Sequence, residues 1–137
     1  MHSIETDDVL YRILSTNAAL MATITGGVYA AGERPDNSEL EDIVVNTISL
    51  THEHPQSGAS NVNIHVPDIE LTVRGQQQRK TDRERLRTLT GLVLSALEAA
   101  REPGLTIQVV SDTTIKETQI NQSYQNIRVN WNIAKRN

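Results

Sequence analysis

The sequence predicts an α+β fold: two helices packed on one face of a mostly antiparallel sheet, in the order α-β-β-β-α-β-β-β, within one domain spanning residues 1–137. Three observations carry this. Two long stretches repeat apolar residues at helical spacing, and several shorter ones alternate apolar and polar residues at period two. Links rich in Gly, Pro, Asn and Asp separate them. Two helices suffice to cover one face of such a sheet.

The first helix is expected over 6–22. Thr6 or Asp7 can cap it, acids occupy its start where the helix dipole favours them, and Leu10, Ile13, Leu14, Ala18 and Met21 form one stripe. "TGG" at 25–27 stops it, and Val28 and Tyr29 begin a short strand. Residues 30–42 read as an exposed loop. "IVVNTISL" (43–50) barely alternates, which predicts a central strand covered on both faces. A turn-forming link (51–60) leads to the strand "NVNIHV" (61–66), and alternation resumes after Pro67 at Ile69, Leu71 and Val73. Residues 74–80, "RGQQQRK", read as polar and flexible. "TDRE" (81–84) has the form of a capping box, with Thr81 as cap and Glu84 reaching back. The helix it starts runs to about Arg101, with Leu86, Leu89, Val93, Ala96, Leu97 and Ala100 on its buried stripe. Strands follow at 105–110 and 114–120, with "SDT" turning between them, and at 124–133.

Composition narrows the function classes. Apolar content is 37%, and the aromatics are three Tyr and one Trp without Phe, so the core is aliphatic and thin and gains from burial against neighbours. There is no cysteine, which removes disulfide and thiolate chemistry. No apolar run reaches the roughly 18–20 residues of a membrane helix, and the first residues lack a signal-peptide pattern, so a soluble intracellular product without membrane contact is expected. The net charge of −4 argues against a general nucleic-acid binder. Its distribution says more: residues 1–70 hold 11 acids and 2 bases, residues 71–137 hold 6 acids and 11 bases. This is either chance with one basic helix start, or a subunit whose two faces attract each other head to tail.

No catalytic motif stands out. "HEH" (52–54) resembles half a metal site, but Pro55 and the turn composition around it indicate a solvated link, and no metal or cofactor is expected. Ser57 is not in a nucleophile elbow, and "TGG" lacks the spacing and the Lys of a phosphate loop. Asp68 and Glu70 have no partner base. An enzyme is therefore not expected.

Two features remain. Six bases crowd into 74–87: Arg74, Arg79, Lys80, Arg83, Arg85 and Arg87, against Asp82 and Glu84. They form either a solvated helix start with local ion pairs or an arm that touches DNA or an acidic protein surface; no aromatics interleave, so base stacking is not expected. The second feature is asparagine at period two: Asn61 and Asn63 with His65, and Asn126, Asn130 and Asn132 with Arg128. Asn is depleted in strands because its side chain competes for backbone hydrogen bonds. It offers donors and an acceptor without charge, so copies of it around a symmetric assembly do not repel. Such a face suits a subunit boundary or a channel passing DNA. The plain alternative is that these side chains bond to each other across neighbouring strands.

The order of segments resembles a family. An amphipathic N-terminal helix leads into "ITGGVYAAGERP" (24–35), then "EDIVVNTISL" (41–50), "NVNIHV", a long helix with "RLRTLTGLVLSAL" (85–97), and terminal strands. Over nearly the whole chain this is similar to the tail-completion or tail-terminator proteins of long-tailed bacteriophages. The resemblance implies a ring, commonly of six subunits, that caps the head-proximal end of the tail tube, stops its polymerisation and joins tail to head. The implied partners are further copies of itself, the tail tube protein, the head connector or completion protein, and DNA passing through the lumen without sequence readout. The implied location is the tail–neck region of a virion assembled in the bacterial host cytoplasm. The asparagine-bearing strand faces and the basic 74–87 segment become candidates for the lumen or the tube contact. Another neck or head-completion protein, or a small non-viral adaptor, is the alternative.

Overall fold

A computed structural model describes residues 1–134. The fold is α+β, with a mostly antiparallel sheet. The chain begins with α1 (Ser3–Ser15) and α2 (Ala18–Thr23), followed by β1 (Val28–Ala30), β2 (Asp42–Leu50) and β3 (Gln56–Pro67). A hairpin of β4 (Ile69–Val73) and β5 (Gln76–Lys80) precedes α3 (Arg83–Ala99), and β6 (Leu105–Glu117) and β7 (Gln122–Ile133) complete it. Five strands form one sheet in the order β1-β2-β3-β7-β6, in which β1 runs parallel to β2 and the other pairs are antiparallel; β4 and β5 form a separate two-stranded sheet.

The period-two pattern sets which face is buried. Val62, Ile64 and Val66 of β3 and Ile127, Val129, Trp131 and Ile133 of β7 turn to one side, where Leu10 and Leu14 of α1, Leu20 of α2, and Leu89, Val93 and Leu97 of α3 cover them. Trp131 is the one aromatic residue in this otherwise aliphatic core. A polar chain crosses the layer: Trp131 Nε1 donates to Ser60 Oγ (2.8 Å), Ser60 Oγ lies 2.9 Å from Thr47 Oγ1, and Thr47 donates from both Oγ1 (2.6 Å) and N (2.7 Å) to the Asp7 carboxylate of α1. Indole can only donate, so the hydroxyls point in sequence toward the carboxylate, and each side chain of this series has a partner.

Several expectations are corrected. The first helix breaks at Asn17, whose side chain accepts from Leu20 N (3.0 Å) and caps α2, while Thr16 Oγ1 turns back to Arg12 O. The apolar stripe passes over this break unchanged. Thr6 and Asp7 do not cap α1: they lie inside it and bond Thr47. The cap of α3 is Asp82, accepting from Arg85 N, and Thr81 Oγ1 instead meets Ser123 Oγ at 3.0 Å. Residues 74–80 are ordered as the hairpin's turn and second strand. β3 begins at Gln56, so the link before it is shorter than expected. "SDT" does not turn: β6 runs on past a bulge between Val109 and Ser111, and the chain reverses at Thr118–Asn121, with Asn121 left-handed (φ 54°). Central strand β2 is covered on one face only, since Asn46 and Ile48 are exposed on the other.

Gly26 is fixed by close approach. Its N–H donates to Glu41 O (2.9 Å), and an added Cβ would overlap the Asp42 carboxylate and stand 2.5 Å from Glu41 O. The neighbouring Gly27 N–H donates to Asp42 Oδ1 (3.0 Å), so the two glycines stitch the end of α2 to the start of β2.

Candidate functional site

The face of the five-stranded sheet opposite the helices is open; its middle strands are polar, and Ile48 of β2 and Ile115 of β6 are exposed at its margins. β7 contributes Tyr124, Asn126, Arg128, Asn130 and Asn132 to it by alternation with the core residues. β3 contributes Asn61, Asn63 and His65. The register places Asn61 opposite Arg128 and Asn63 opposite Asn126. Arg128 Nε donates to Asn61 Oδ1 (3.0 Å), and Asn126 Nδ2 donates to Asn63 Oδ1 (2.7 Å). Four of the asparagine-pattern residues therefore bond each other across neighbouring strands. Asn130 and Asn132, toward the other end of β7, are exposed, as are Thr106 and Gln108 beside them on β6. The central strands thus present amides and hydroxyls, with Arg128 the one charged side chain among them.

One end of this face is closed by the loop 31–41. Arg34 reaches back with Nε to Asp42 Oδ2 (2.9 Å) and Nη2 to Gln122 Oε1 (3.0 Å), and Gln122 Nε2 donates to Ser38 O (2.6 Å). Burial pushes the Asp42 carboxyl up, but hydrogen bonds from Ser38, Arg34 and Gly27 outweigh it and hold it below the usual carboxylate range. His65 sits beside this pair, its ring 5.0 Å from that of Tyr124 and its Nδ1 3.7 Å from Glu117. Desolvation, aided by the Arg34 charge and opposed by Asp42, lowers the His65 pKa to about 4, so the ring is neutral at pH 7 despite its acidic neighbour. Its Nδ1 is buried without a hydrogen-bond partner.

The basic residues lie elsewhere. Arg74, Arg79 and Lys80 belong to the β4–β5 hairpin, and Arg83 opens α3. The hairpin is tied down on the helix side of the sheet. At its base the Asp68 carboxylate accepts from Lys116 Nζ and Ser123 Oγ, both at 2.8 Å, and Ser123 shares the face of Ile127. The asparagine face and the basic segment are therefore on opposite sides of the sheet, and the structure does not bring them into one surface. One of the six bases, partly exposed, is spent within the chain: Arg85 forms a two-pronged pair with Glu41, Nε to Oε2 and Nη2 to Oε1 both 2.6 Å, and its Nη2 also donates to Thr23 O (2.9 Å). Sequence reading missed Arg34 and Asp42; an Arg flanked by turn formers, eight residues before an acid opening a strand, was the available signal.

Among the described residues no group of three His, Asp or Glu side chains forms a metal cluster, and no helix is long and apolar enough to cross a membrane. A recess of about 310 Å³ lies between α3 and β6–β7, lined by Arg83, Arg87, Thr90 and Gln125 among others, and is broadly open to solvent.

The chain matches no family model and no curated protein. Its fold is similar to that of a solved chain from the virion of a native gene transfer agent particle, with a TM-score of 0.59 and 10% sequence identity over 96% of this chain and 94% of the other. At that identity the likeness is one of fold, and it extends over essentially the full length of both chains.

Proposed function

We propose that the protein is a structural component of a phage-like particle: a ring, of six copies in the form the family resemblance implies, that caps the head-proximal end of the tail tube, ends tube polymerisation and joins tail to head. The full-length fold likeness to a chain of a gene transfer agent virion is the observation that supports this most. The one-sided sheet agrees with it. A thin aliphatic core under helices, with a broad polar face left uncovered, suits a subunit completed by neighbours. On this reading the tail tube protein and the head connector are the axial partners. The face bearing Asn61, Asn63, Asn126, Asn130 and Asn132 borders the lumen. With Arg128 the one cation among these amides, its Nε held by Asn61, the face gives passing DNA little of the ionic grip that a cluster of phosphate-binding lysines and arginines would exert.

Electron microscopy of particles from a prophage lacking this gene tests the reading. Overlong, headless tails are the expected result. Tails of normal length beside full, unattached heads would assign the chain to another joining step. Intact infectious particles would overturn the virion reading and favour an adaptor.

A further inference from the structure

The β4–β5 hairpin has no layer to pack on. It pairs with no strand of the five-stranded sheet, and its attachments are at the base: Asp68 to Lys116 and Ser123, Asp68 N–H to Asn121 O (2.8 Å), and Lys116 Nζ to Arg79 O (3.3 Å). A two-stranded hairpin alone is at best marginally stable in water. This one is nevertheless well specified, with Arg74 and Gly75 both at positive φ (50° and 79°) as a tight two-residue turn requires. Ile69 and Leu71 on one of its faces are 38% and 44% exposed. Arg74, Arg79 and Lys80 form no ion pair among the described residues. The apolar strip has Lys80 on its own face and Arg74 at the turn, while Arg79 lies on the other face across from Glu70; an ordered arm with such a strip and flanking cations suits a contact.

The same chain carries the complement. Glu33, Asp36 and Glu39 of the loop 31–41 are exposed and form no ion pair among the described residues. Between this loop and Ile120 lies a recess of about 260 Å³. Leu40 of the loop and Ile120 are 52% and 51% exposed. Loop and arm are at the same end of the sheet but on opposite sides of it. The loop bonds Gln122 and Asp42 on the open side, and the arm bonds Ser123 and Lys116 on the helix side. No ion pair joins them within one copy among the described residues. Two complementary patches at different places on one subunit make a head-to-tail contact, which closes into a ring when the rotation permits.

We infer that the hairpin arm of one copy seats on the acidic loop 31–41 of a second copy, with Ile69 and Leu71 against Leu40 and Ile120, and with Lys80, which shares their face, and Arg74 at the turn facing Glu33, Asp36 and Glu39. This rests on the ring reading and names the contact that would build the ring. Charge complementarity selects a second copy over a tube or DNA partner for the arm, because the acidic seat is present on the chain itself.

The absence of cysteine makes the test direct. Gln77→Cys on the arm and Asp36→Cys on the loop are prepared as separate full-length proteins, mixed at high concentration and treated with a short bis-maleimide. A bridge between the two variants is intermolecular by construction. Assembly state is read in parallel by native mass spectrometry. The expected result is a 77–36 bridge in excess of 77–77 and 36–36 bridges. Rings without a 77–36 bridge would overturn this contact and leave the ring reading standing. Monomers without any bridge would overturn it too, and the ring reading would then be judged by tail length alone. Predominant 77–77 bridging would replace it with a two-fold pairing of arms. As a second measurement, Arg74→Glu with Lys80→Glu should weaken self-association roughly tenfold or more, and Asp36→Lys with Glu39→Lys in the partner copy should restore it. Failure of that swap to restore association while both variants keep their helical circular dichroism would count against the contact.

Discussion

At the scale of single residues, His65 is the group whose protonation the fold opposes most clearly. Its neighbours from the adjoining elements are Asp42, Arg34, Tyr124 and Glu117. Two of these are acids, yet burial and the Arg34 charge prevail and the folded ring takes its proton only near pH 4, against 6.5 when unfolded. The unfolded state therefore binds more protons between these values. Stability is full above pH 6.5, falls as the pH drops toward 4, and loses nothing more to this group below that. The separation corresponds to about 3 kcal/mol. Urea denaturation at pH 7, 5.5 and 4 should show this decline, and His65→Gln should flatten it. An equal slope in the variant would transfer the effect to the carboxylates. The period-two placement of His65 among asparagines was readable in the sequence; its neutrality was not, because it depends on Arg34, brought across by a loop whose composition says only that it turns.

At the scale of elements, the ion pair of Arg85 and Glu41 joins three pieces: the start of α3, the end of the loop 31–41, and α2 through Thr23 O. The Glu41 side chain is 7% exposed and the Arg85 side chain 34%, so removing the arginine strands the more deeply buried partner. Arg85→Ala should cost about 1–2 kcal/mol, as measured by chemical denaturation, since it strands a buried carboxylate but the pair itself is partly screened by solvent. Arg85→Ala with Glu41→Gln should recover part of it. A loss below about 0.5 kcal/mol in the single variant would mean the pair is no more than a surface contact. Helices, strands and the core stripe were legible because each follows from a local period. The corrections have two causes: at Asn17 and in the 69–80 hairpin a local cap or turn prevails over the apolar pattern, and elsewhere a tertiary partner displaces the local one. Asp82 rather than Thr81 caps α3 because the Thr81 hydroxyl is used by Ser123. Residues 111–113 stay in strand because β7 continues alongside them. The sequence 76–80 is a strand because β4 precedes it across a two-residue turn, although "QQQRK" has no alternation of its own.

At the scale of the whole molecule, the charge asymmetry between the two halves of the chain was countable in the sequence, but its geometry was not. Chain order alone suggests two opposed halves. The fold interleaves them, spends Arg34, Arg85 and Lys116 on internal acids, and leaves one basic arm and one acidic loop at the same end on opposite sides of the sheet. The polar chain from Trp131 to Asp7 has a further use. The chain has a single tryptophan, and its indole is buried under the helical layer, hydrogen-bonded at Ser60 and near the end of β7 opposite the one where arm and loop attach. Its fluorescence should therefore hold a constant wavelength while copies associate through the arm, and shift to the red only when the helical layer lifts. A red shift accompanying association would mean that assembly disturbs that layer. The protein thus carries an intrinsic optical gauge that reads folding, and on the proposed contact it would be blind to assembly.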